Sequence, residues 1–382
     1  MKKTIVLGAA LVCALLPLPR TAAGAEESAA AYCKSAYLCD FQSGTEVFEQ
    51  NAEAHLPIAS MCKIMTLLLS FEAEERGELD LSEQITVSER AAGMGGSQVF
   101  LQENLSYTAG DLIKSIAVCS ANDSCVAVAE RLCGSEEAFV ERMNERAKQL
   151  GAENTLFSNC TGLPKEPQYS CAKDVSRMLR ALLEHEKYFA YSRVWLEDFS
   201  HPDGRVTTIT NTNKLIRFYE GCDGGKTGFT QQAGYCLAAT AQRGGMRLVS
   251  VVIGADTSEH RFAATKQLLD RTFNTYENRV LLKEGEQAGA ELDVRGGKKK
   301  RCPVRADRDL TLFCKKGADE KTEIRFCLDE AHKAPVRAGE RAGEAVLYRD
   351  GREYARCALL AAEDVEKSNW ADAFRDAARN WN

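Results

Sequence analysis

Hydrophobic and polar positions divide the chain into a mixed helical and extended part and a later part of short strands. Residues 32–49 alternate around a turn at Gly44, which predicts an opening hairpin. The run 58–73 is apolar on nearly every side and therefore predicts a helix that is buried all round. Residues 174–184 place apolar side chains at helical spacing along one stripe, which predicts an amphipathic helix.

The middle of the chain predicts helices first and strands afterwards. Gly244-Gly245 lies between the last two strands and is a hairpin signal. Together these segments predict an α/β (α+β) domain over 26–277, with a mainly antiparallel sheet flanked by helices and a largely helical subdomain inserted between its strands. The predicted helices are 109–119, 123–132, 136–150 and 261–276, and the predicted strands are 226–229, 235–242 and 247–253.

The remainder of the chain predicts a small all-β domain and a terminal helix. Short alternating stretches, separated by turns that contain Gly or Asp, predict a β-sandwich-like domain over 278–361. Residues 362–382 have an amphipathic helical pattern with Trp370, Phe374 and Trp381 on one face. That face suits a membrane–water boundary. It equally suits docking onto the strand domain or onto a second copy of the chain.

The first 25 residues have the pattern of a targeting segment. Lys2 and Lys3 provide a positive start, residues 5–18 are apolar, and small residues end at Ala25. The apolar stretch is short for a transmembrane helix. We therefore expect residues 1–25 to be a signal peptide and the protein to be exported. The C-terminal helix is then a candidate for attachment to the outer face of the cytoplasmic membrane.

Composition narrows the function classes. The 382-residue chain has a formal net charge of −6 and no long basic block, which argues against a nucleic-acid partner. None of its 15 cysteines forms a C-x-x-C pair, and several lie in apolar runs, so mostly free buried thiols are favoured over a disulfide framework. The sequence shows no metal-ligand cluster and no dinucleotide- or phosphate-binding loop, so we expect neither a cofactor nor a metal.

Two Ser-x-x-Lys motifs occur, and their helical context separates them. Lys173 points away from the apolar stripe of its helix, and Ser170 has the position of a helix N-cap. Ser60 and Lys63 instead lie on the helix that is predicted to be buried, with both side chains on one side of its first turn. This predicts Ser60 as a nucleophile and Lys63 as its base. The base must be neutral part of the time, which burial and a second cation such as Lys226 would favour.

A second polar motif, Ser120-x-Asn122, lies between two apolar helices, where unused polar side chains would be costly. In the functional interpretation, Ser120 relays a proton from Lys63 to the leaving amine, and Asn122 holds a substrate amide. In the structural interpretation, the stretch from Asn122 to Ser124 only caps a helix. The presence of the first motif favours the functional interpretation.

The third motif, Lys226-Thr227-Gly228, lies in a predicted strand. Gly228 leaves room for a ligand backbone at the strand edge. Lys226 and Thr227 offer a charge and a hydroxyl to a terminal carboxylate. The backbone N–H of Phe229 and one of the free N–H groups at the first turn of the Ser60 helix are candidate oxyanion donors. An exposed edge strand with a lysine for solubility is the structural alternative.

In this order, the three motifs resemble those of the low-molecular-mass penicillin-binding proteins, the serine D-alanyl-D-alanine carboxypeptidases. The resemblance implies a penicillin-binding/β-lactamase-like catalytic fold, a β-rich C-terminal domain and a membrane-anchoring helix. It also implies that Arg261 lies near the terminal carboxylate of the substrate and belongs to the substrate-binding residues. Two positions depart from the family pattern, because Phe229 stands where some members have histidine and Ala121 where glycine is frequent. The segments that carry the resemblance are 57–66, 116–123, 154–157 and 226–235.

The implied function is removal of the terminal D-Ala from peptidoglycan stem peptides through an acyl ester on Ser60, with β-lactam antibiotics acylating the same serine. A serine β-lactamase is the nearest alternative. It needs a base for the deacylating water, and no Glu-x-x-Leu-Asn element lies between Asn122 and Lys226. A non-catalytic cell-wall-binding scaffold protein with a relic fold is the other alternative.

Overall fold

The computed structural model describes residues 31–370 and residue 372. The predicted signal peptide lies outside the described residues, as do Phe374 and Trp381 of the predicted C-terminal helix. Among the described residues, no helix combines the length and the apolar character needed to cross a bilayer. The cysteines in this part of the chain are free thiols, most of them buried, as the sequence indicated.

The first region alternates helices with strands around one sheet. Its strands are β1 (Ser35–Asp40), β2 (Glu46–Gln50), β3 (Gln84–Thr86), β4 (Ser106–Thr108), β5 (Leu196–Ser200), β6 (Val206–Thr210), β7 (Cys222–Thr230), β8 (Gly234–Arg243) and β9 (Met246–Ala255). Its helices are α1 (Lys63–Glu75), α2 (Glu89–Ala92), α3 (Ala109–Cys119), α4 (Asn122–Cys133), α5 (Glu136–Gln149), α6 (Ala172–Leu183), α7 (Glu186–Ser192), α8 (Leu215–Phe218) and α9 (Ser258–Thr275).

The main sheet has the strand order β2-β1-β9-β8-β7, and every neighbouring pair is antiparallel. The opening hairpin and the β8–β9 hairpin are both confirmed. Among the described residues, strand β7 pairs with β8 alone, with Lys226 opposite Ala238 and Phe229 opposite Tyr235. The third motif therefore lies on an edge strand of the main sheet.

Helix α1 runs through the largest hydrophobic core, as its all-round apolar pattern predicted. Ile64, Met65, Leu67 and Leu68 are fully buried on successive faces of this helix. The α-helix begins later than the predicted run 58–73, because the four residues Ala59–Cys62 form a 3-10 turn before it. The first motif therefore straddles a turn and a helix.

The second region is an all-β domain, which confirms the predicted class. Its strands are β10 (Tyr276–Leu282), β11 (Gln287–Arg295), β12 (Arg301–Ala306), β13 (Leu310–Lys315), β14 (Thr322–Leu328), β15 (His332–Lys333), β16 (Arg341–Arg349) and β17 (Arg352–Ala361). Six of them form a sheet in the order β14-β16-β17-β12-β11-β15, and β10 pairs with β13. Leu292, Val304, Leu347 and Leu359 lie in a hydrophobic core that belongs to this domain. The predicted terminal helix does not begin at residue 362, because Val365 pairs with Val336 and is buried in the same core, so that residues 362–369 are not helical.

Candidate active site

The serine and the lysine of the first motif contact each other. Lys63 Nζ lies 3.0 Å from Ser60 Oγ and also donates hydrogen bonds to Asn122 Oδ1 at 2.7 Å and to the Thr161 carbonyl at 2.5 Å. The Lys63 side chain is fully buried. An ammonium has three donors, so these three acceptors are enough to satisfy it. The second motif thus reaches the first one through Asn122.

Ser120 ends helix α3 in a left-handed conformation, with φ of 67°. Its hydroxyl is buried and has no hydrogen-bond partner among the described residues. A buried hydroxyl without a partner is costly, and backbone strain of this kind concentrates at functional sites. The free hydroxyl is therefore available to a ligand that enters the site.

The third motif brings a second buried lysine to the site. Burial, and secondarily the positive charge of Lys63, lower the pKa of Lys226 to about 7. Its Nζ has a single long contact, 3.3 Å to the carbonyl of Thr227. The Thr227 hydroxyl donates to Thr212 Oγ1 at 2.8 Å. A carboxylate bound here would supply the partner that the Lys226 ammonium lacks.

Two glycines that are far apart in the sequence pack against the 3-10 turn Ala59–Cys62, which contains Ser60 and is called the nucleophile turn below. A Cβ atom at Gly228 would lie 2.6 Å from the Ile58 carbonyl oxygen and 3.2 Å from the Ser60 nitrogen. A Cβ at Gly162 would lie 2.1 Å from the Ala59 carbonyl oxygen. The sequence assigned Gly228 to ligand access alone. In the structure its missing side chain also lets β7 pack against the turn.

Arg261 supports the edge strand from α9. Its Nη1 donates to the carbonyls of Gly228 and Cys236, both at 3.2 Å, and its guanidinium lies over the Tyr235 ring. Phe229 stacks on Tyr235 with ring centroids 4.3 Å apart and is half-exposed. Arg261 therefore lies next to the third motif, where it binds backbone oxygens.

The sequence reasoning missed the loop that completes the lysine site. Asn159 Oδ1 accepts hydrogen bonds from the backbone N–H of Thr161 and of Gly162, which orients the Thr161 carbonyl toward Lys63. The Cys160 N–H donates to Glu136 Oε1 at 3.1 Å. The Asn-x-x-Gly spacing is a local turn signal and could have indicated the bend. Nothing in it indicates the contact with a residue so distant in sequence.

The second Ser-x-x-Lys motif lies away from the site. Lys173 Nζ pairs with Glu53 at the surface, at 3.1 Å, as predicted. The N-cap assignment of Ser170 was wrong. Cys171 precedes α6, and Ser170 forms an isolated bridge with Leu56 while its hydroxyl contacts Thr155. Pairing with another segment took precedence over the local capping preference.

The comparisons with known proteins agree with this geometry. Residues 21–257 match the family model described as D-alanyl-D-alanine carboxypeptidase, and residues 276–367 match the C-terminal domain of penicillin-binding protein 5. The chain is 38% identical over 351 residues to the D-alanyl-D-alanine carboxypeptidase DacF of Bacillus subtilis, which covers 91% of this chain and 90% of that protein. It is 30% identical over 346 residues to DacA of Escherichia coli, with 88% and 84% covered.

Solved structures show the same similarity. Penicillin-binding protein 5 from Haemophilus influenzae aligns with a TM-score of 0.68 and 30% identity over 88% of this chain and 98% of that chain. A peptidoglycan synthesis regulatory factor (PBP3) from Streptococcus pneumoniae aligns with a TM-score of 0.76 and 26% identity over 88% and 99%.

Proposed function

Because the chain belongs to the D-alanyl-D-alanine carboxypeptidase family of penicillin-binding proteins, we propose that it releases the terminal D-Ala of peptidoglycan stem peptides through an ester on Ser60. The observation that carries this assignment is the 3.0 Å contact between Ser60 Oγ and Lys63 Nζ inside a buried site. Geometry of this kind places a weak nucleophile within reach of its base.

Acylation begins when neutral Lys63 takes the proton of Ser60 and the serine oxygen attacks the penultimate D-Ala carbonyl. The backbone N–H groups of Ser60 and Phe229 stabilise the oxyanion. The free hydroxyl of Ser120 passes the proton from Lys63 to the amine of the departing D-Ala. The C–N bond breaks, and the shortened stem stays esterified to Ser60.

Deacylation reverses the proton path. Water attacks the ester carbonyl, its proton moves to Lys63, and the serine oxygen leaves and recovers a proton from the lysine. The products are free Ser60 and a stem peptide that ends in one D-Ala. Asn122, held between Lys63 and the Gly95 carbonyl, is placed to keep the substrate amide in register.

Recognition of the terminal carboxylate falls to Lys226 and Thr227. Lys226 supplies the charge, and the Thr227 hydroxyl turns from Thr212 to the ligand. Arg261 holds the Gly228 carbonyl from behind and adds positive charge to this end of the site. A β-lactam carries a carboxylate next to a reactive amide, so it presents the same groups and acylates Ser60.

The two Ser-x-x-Lys motifs provide a matched test of the nucleophile pair. We expect Lys63→Ala to lower kcat/KM for release of D-Ala from a diacetyl-Lys-D-Ala-D-Ala peptide on the order of 10³-fold, whereas Lys173→Ala leaves it unchanged. Mass spectrometry after incubation with a labelled penicillin should place the adduct on Ser60. Equal loss in both variants, or an adduct elsewhere, contradicts the assignment. Rapid turnover of the penicillin would indicate a β-lactamase.

The family acts outside the cytoplasm on the cell wall. We propose in addition that the end of the chain, from Trp370 onward, binds the membrane surface, because the residues just before it are bound to the second domain. The support is the aromatic face of this segment, of which Trp370 is 85% exposed. Trp370→Ala should reduce cosedimentation of the protein with vesicles of phosphatidylglycerol and phosphatidylethanolamine, while D-Ala release from the short peptide is retained. Unchanged sedimentation, or a change of oligomeric state in its place, contradicts membrane binding.

A further inference from the structure

A strained, exposed aromatic residue lies in the loop that contacts Asn122. Phe100 has a positive φ of 65° and 54% of its surface is exposed. Both features are unfavourable for a phenylalanine, because the left-handed conformation is costly for a residue with a Cβ atom and the ring gains nothing from solvent. Its neighbours Val99 and Leu101 are buried. The Phe100 ring is therefore the one side chain of this tripeptide that faces outward.

The surrounding hydrogen bonds hold Phe100 in this conformation. The buried carboxylate of Asp123 accepts from the backbone N–H of Val99 at 3.1 Å and of Leu101 at 3.1 Å. Arg205 Nη2 donates to the Phe100 carbonyl at 3.3 Å. Backbone strain persists only where the surroundings impose it, and it concentrates at sites with a function. Here the strain holds a ring with more than half of its surface in solvent.

The same loop is joined to the active site. Asn122 donates two hydrogen bonds to this loop. Its backbone N–H donates to the Ser97 carbonyl and its Nδ2 to the Gly95 carbonyl, both at 2.7 Å. Because Asp123 follows Asn122 directly, one short helix start holds both the substrate-binding amide and the loop that displays Phe100. The part of a polymeric substrate that extends beyond the stem peptide has to leave the site past one of the segments that border it, and this loop is one of those segments.

We propose that Phe100 stacks on a sugar ring of the glycan strand to which the stem peptide is attached. This rests on the proposed function of the site. A half-exposed phenylalanine offers about 100 Å² of apolar surface, which matches one face of a sugar ring. A protein partner needs about 800 Å² on each side, far more than this ring supplies. Phe100 is then a binding residue for polymeric substrate only.

The test compares a polymeric with a small substrate. Phe100→Ala should lower kcat/KM for D-Ala release from purified uncrosslinked peptidoglycan about 5- to 10-fold, which is the scale expected if the sugar covers about half of the exposed ring surface. The value for diacetyl-Lys-D-Ala-D-Ala should change less than twofold. Phe100→Trp should restore the polymer rate. Phe326→Ala is the matched control, because Phe326 is an exposed phenylalanine on β14 of the second domain.

A glycine variant separates binding from folding. Phe100→Gly removes the same ring as Phe100→Ala and also relieves the positive φ, so it should unfold at a temperature no lower than that of Phe100→Ala and lose the same polymer activity. Equal loss on both substrates, no loss on either, or equal loss in Phe326→Ala overturns the proposal. A wild-type protein inactive on the short peptide would refute the proposed function itself.

Discussion

At the scale of single residues, the site contains two buried lysines with different partners. Lys63 has three oxygen acceptors, whereas Lys226 has one long contact and lies close enough to Lys63 for the two charges to repel. Burial and this repulsion lower the pKa of Lys226. Its charge is available to a ligand carboxylate near neutral pH, but it is expensive to keep in the empty site.

Replacing Lys226 by an apolar residue should lower the activity of the protein and raise its stability. We expect Lys226→Met to lower kcat/KM for the short peptide at least about 100-fold, because the carboxylate loses its charged partner. At pH 6 the same variant should unfold roughly 3–6 °C higher than the original chain, because a buried charge without a good partner is removed. Differential scanning calorimetry and D-Ala release measure the two effects.

The pH dependence of this stability difference tests whether the buried charge of Lys226 is its cause. The pKa of Lys226 is lowered from 10.5 to about 7 on folding, so the folded state binds fewer protons than the unfolded state between these values and its stability rises with pH there. The advantage of Lys226→Met should be complete below pH 7 and shrink as the pH rises toward 10.5. A constant difference between pH 6 and pH 9 would mean that burial of the charge is not responsible.

At the scale of elements, the nucleophile turn depends on the close approach of two other segments. Gly162 has φ of 81° and its Cα hydrogen faces the Ala59 carbonyl. We expect Gly162→Ala to cost about 2–4 kcal/mol of unfolding free energy and to reduce D-Ala release strongly, because the turn must move. Urea denaturation and the short-peptide assay measure these changes.

Gly77 provides the control for backbone strain. It has a similar φ of 72°, and nothing lies within 4 Å of a Cβ built there. Gly77→Ala should therefore cost only about 1 kcal/mol and leave activity unchanged. Similar losses in the two variants would show that conformational strain alone, and not contact with the nucleophile turn, explains the effect at Gly162.

Local signals predicted the elements where neighbouring residues decide the structure. Gly44 and the pair Gly244-Gly245 adopt positive φ values in the two predicted hairpins, and the apolar run of α1 became a buried helix. The motifs were likewise found because their residues are close in sequence. The 3-10 turn at Ala59–Cys62 and the bridge made by Ser170 could not be predicted, because both are set by segments far along the chain.

At the scale of the whole molecule, the two domains share side chains at their junction. Phe313 of the second domain packs in a core of the first and stacks on Tyr276 with ring centroids 4.9 Å apart. Thr311 Oγ1 donates to Gln42 Oε1 at 2.6 Å, and Lys316 Nζ donates to the Phe273 carbonyl at 2.9 Å. The second domain therefore covers apolar surface of the catalytic domain without supplying residues to the described active site.

A chain that ends at Thr275 should separate these two roles. We expect it to form the penicillin adduct on Ser60 and to keep kcat/KM for the short peptide within about twofold, because the site is built from residues before the junction. Its unfolding temperature should fall, since removal of Phe313 exposes part of a core. Phe313→Ala in the full chain should also be destabilising, with a loss of about 3 kcal/mol or more of unfolding free energy. Loss of acylation in the shortened but folded chain would mean that the second domain holds the site in its active geometry.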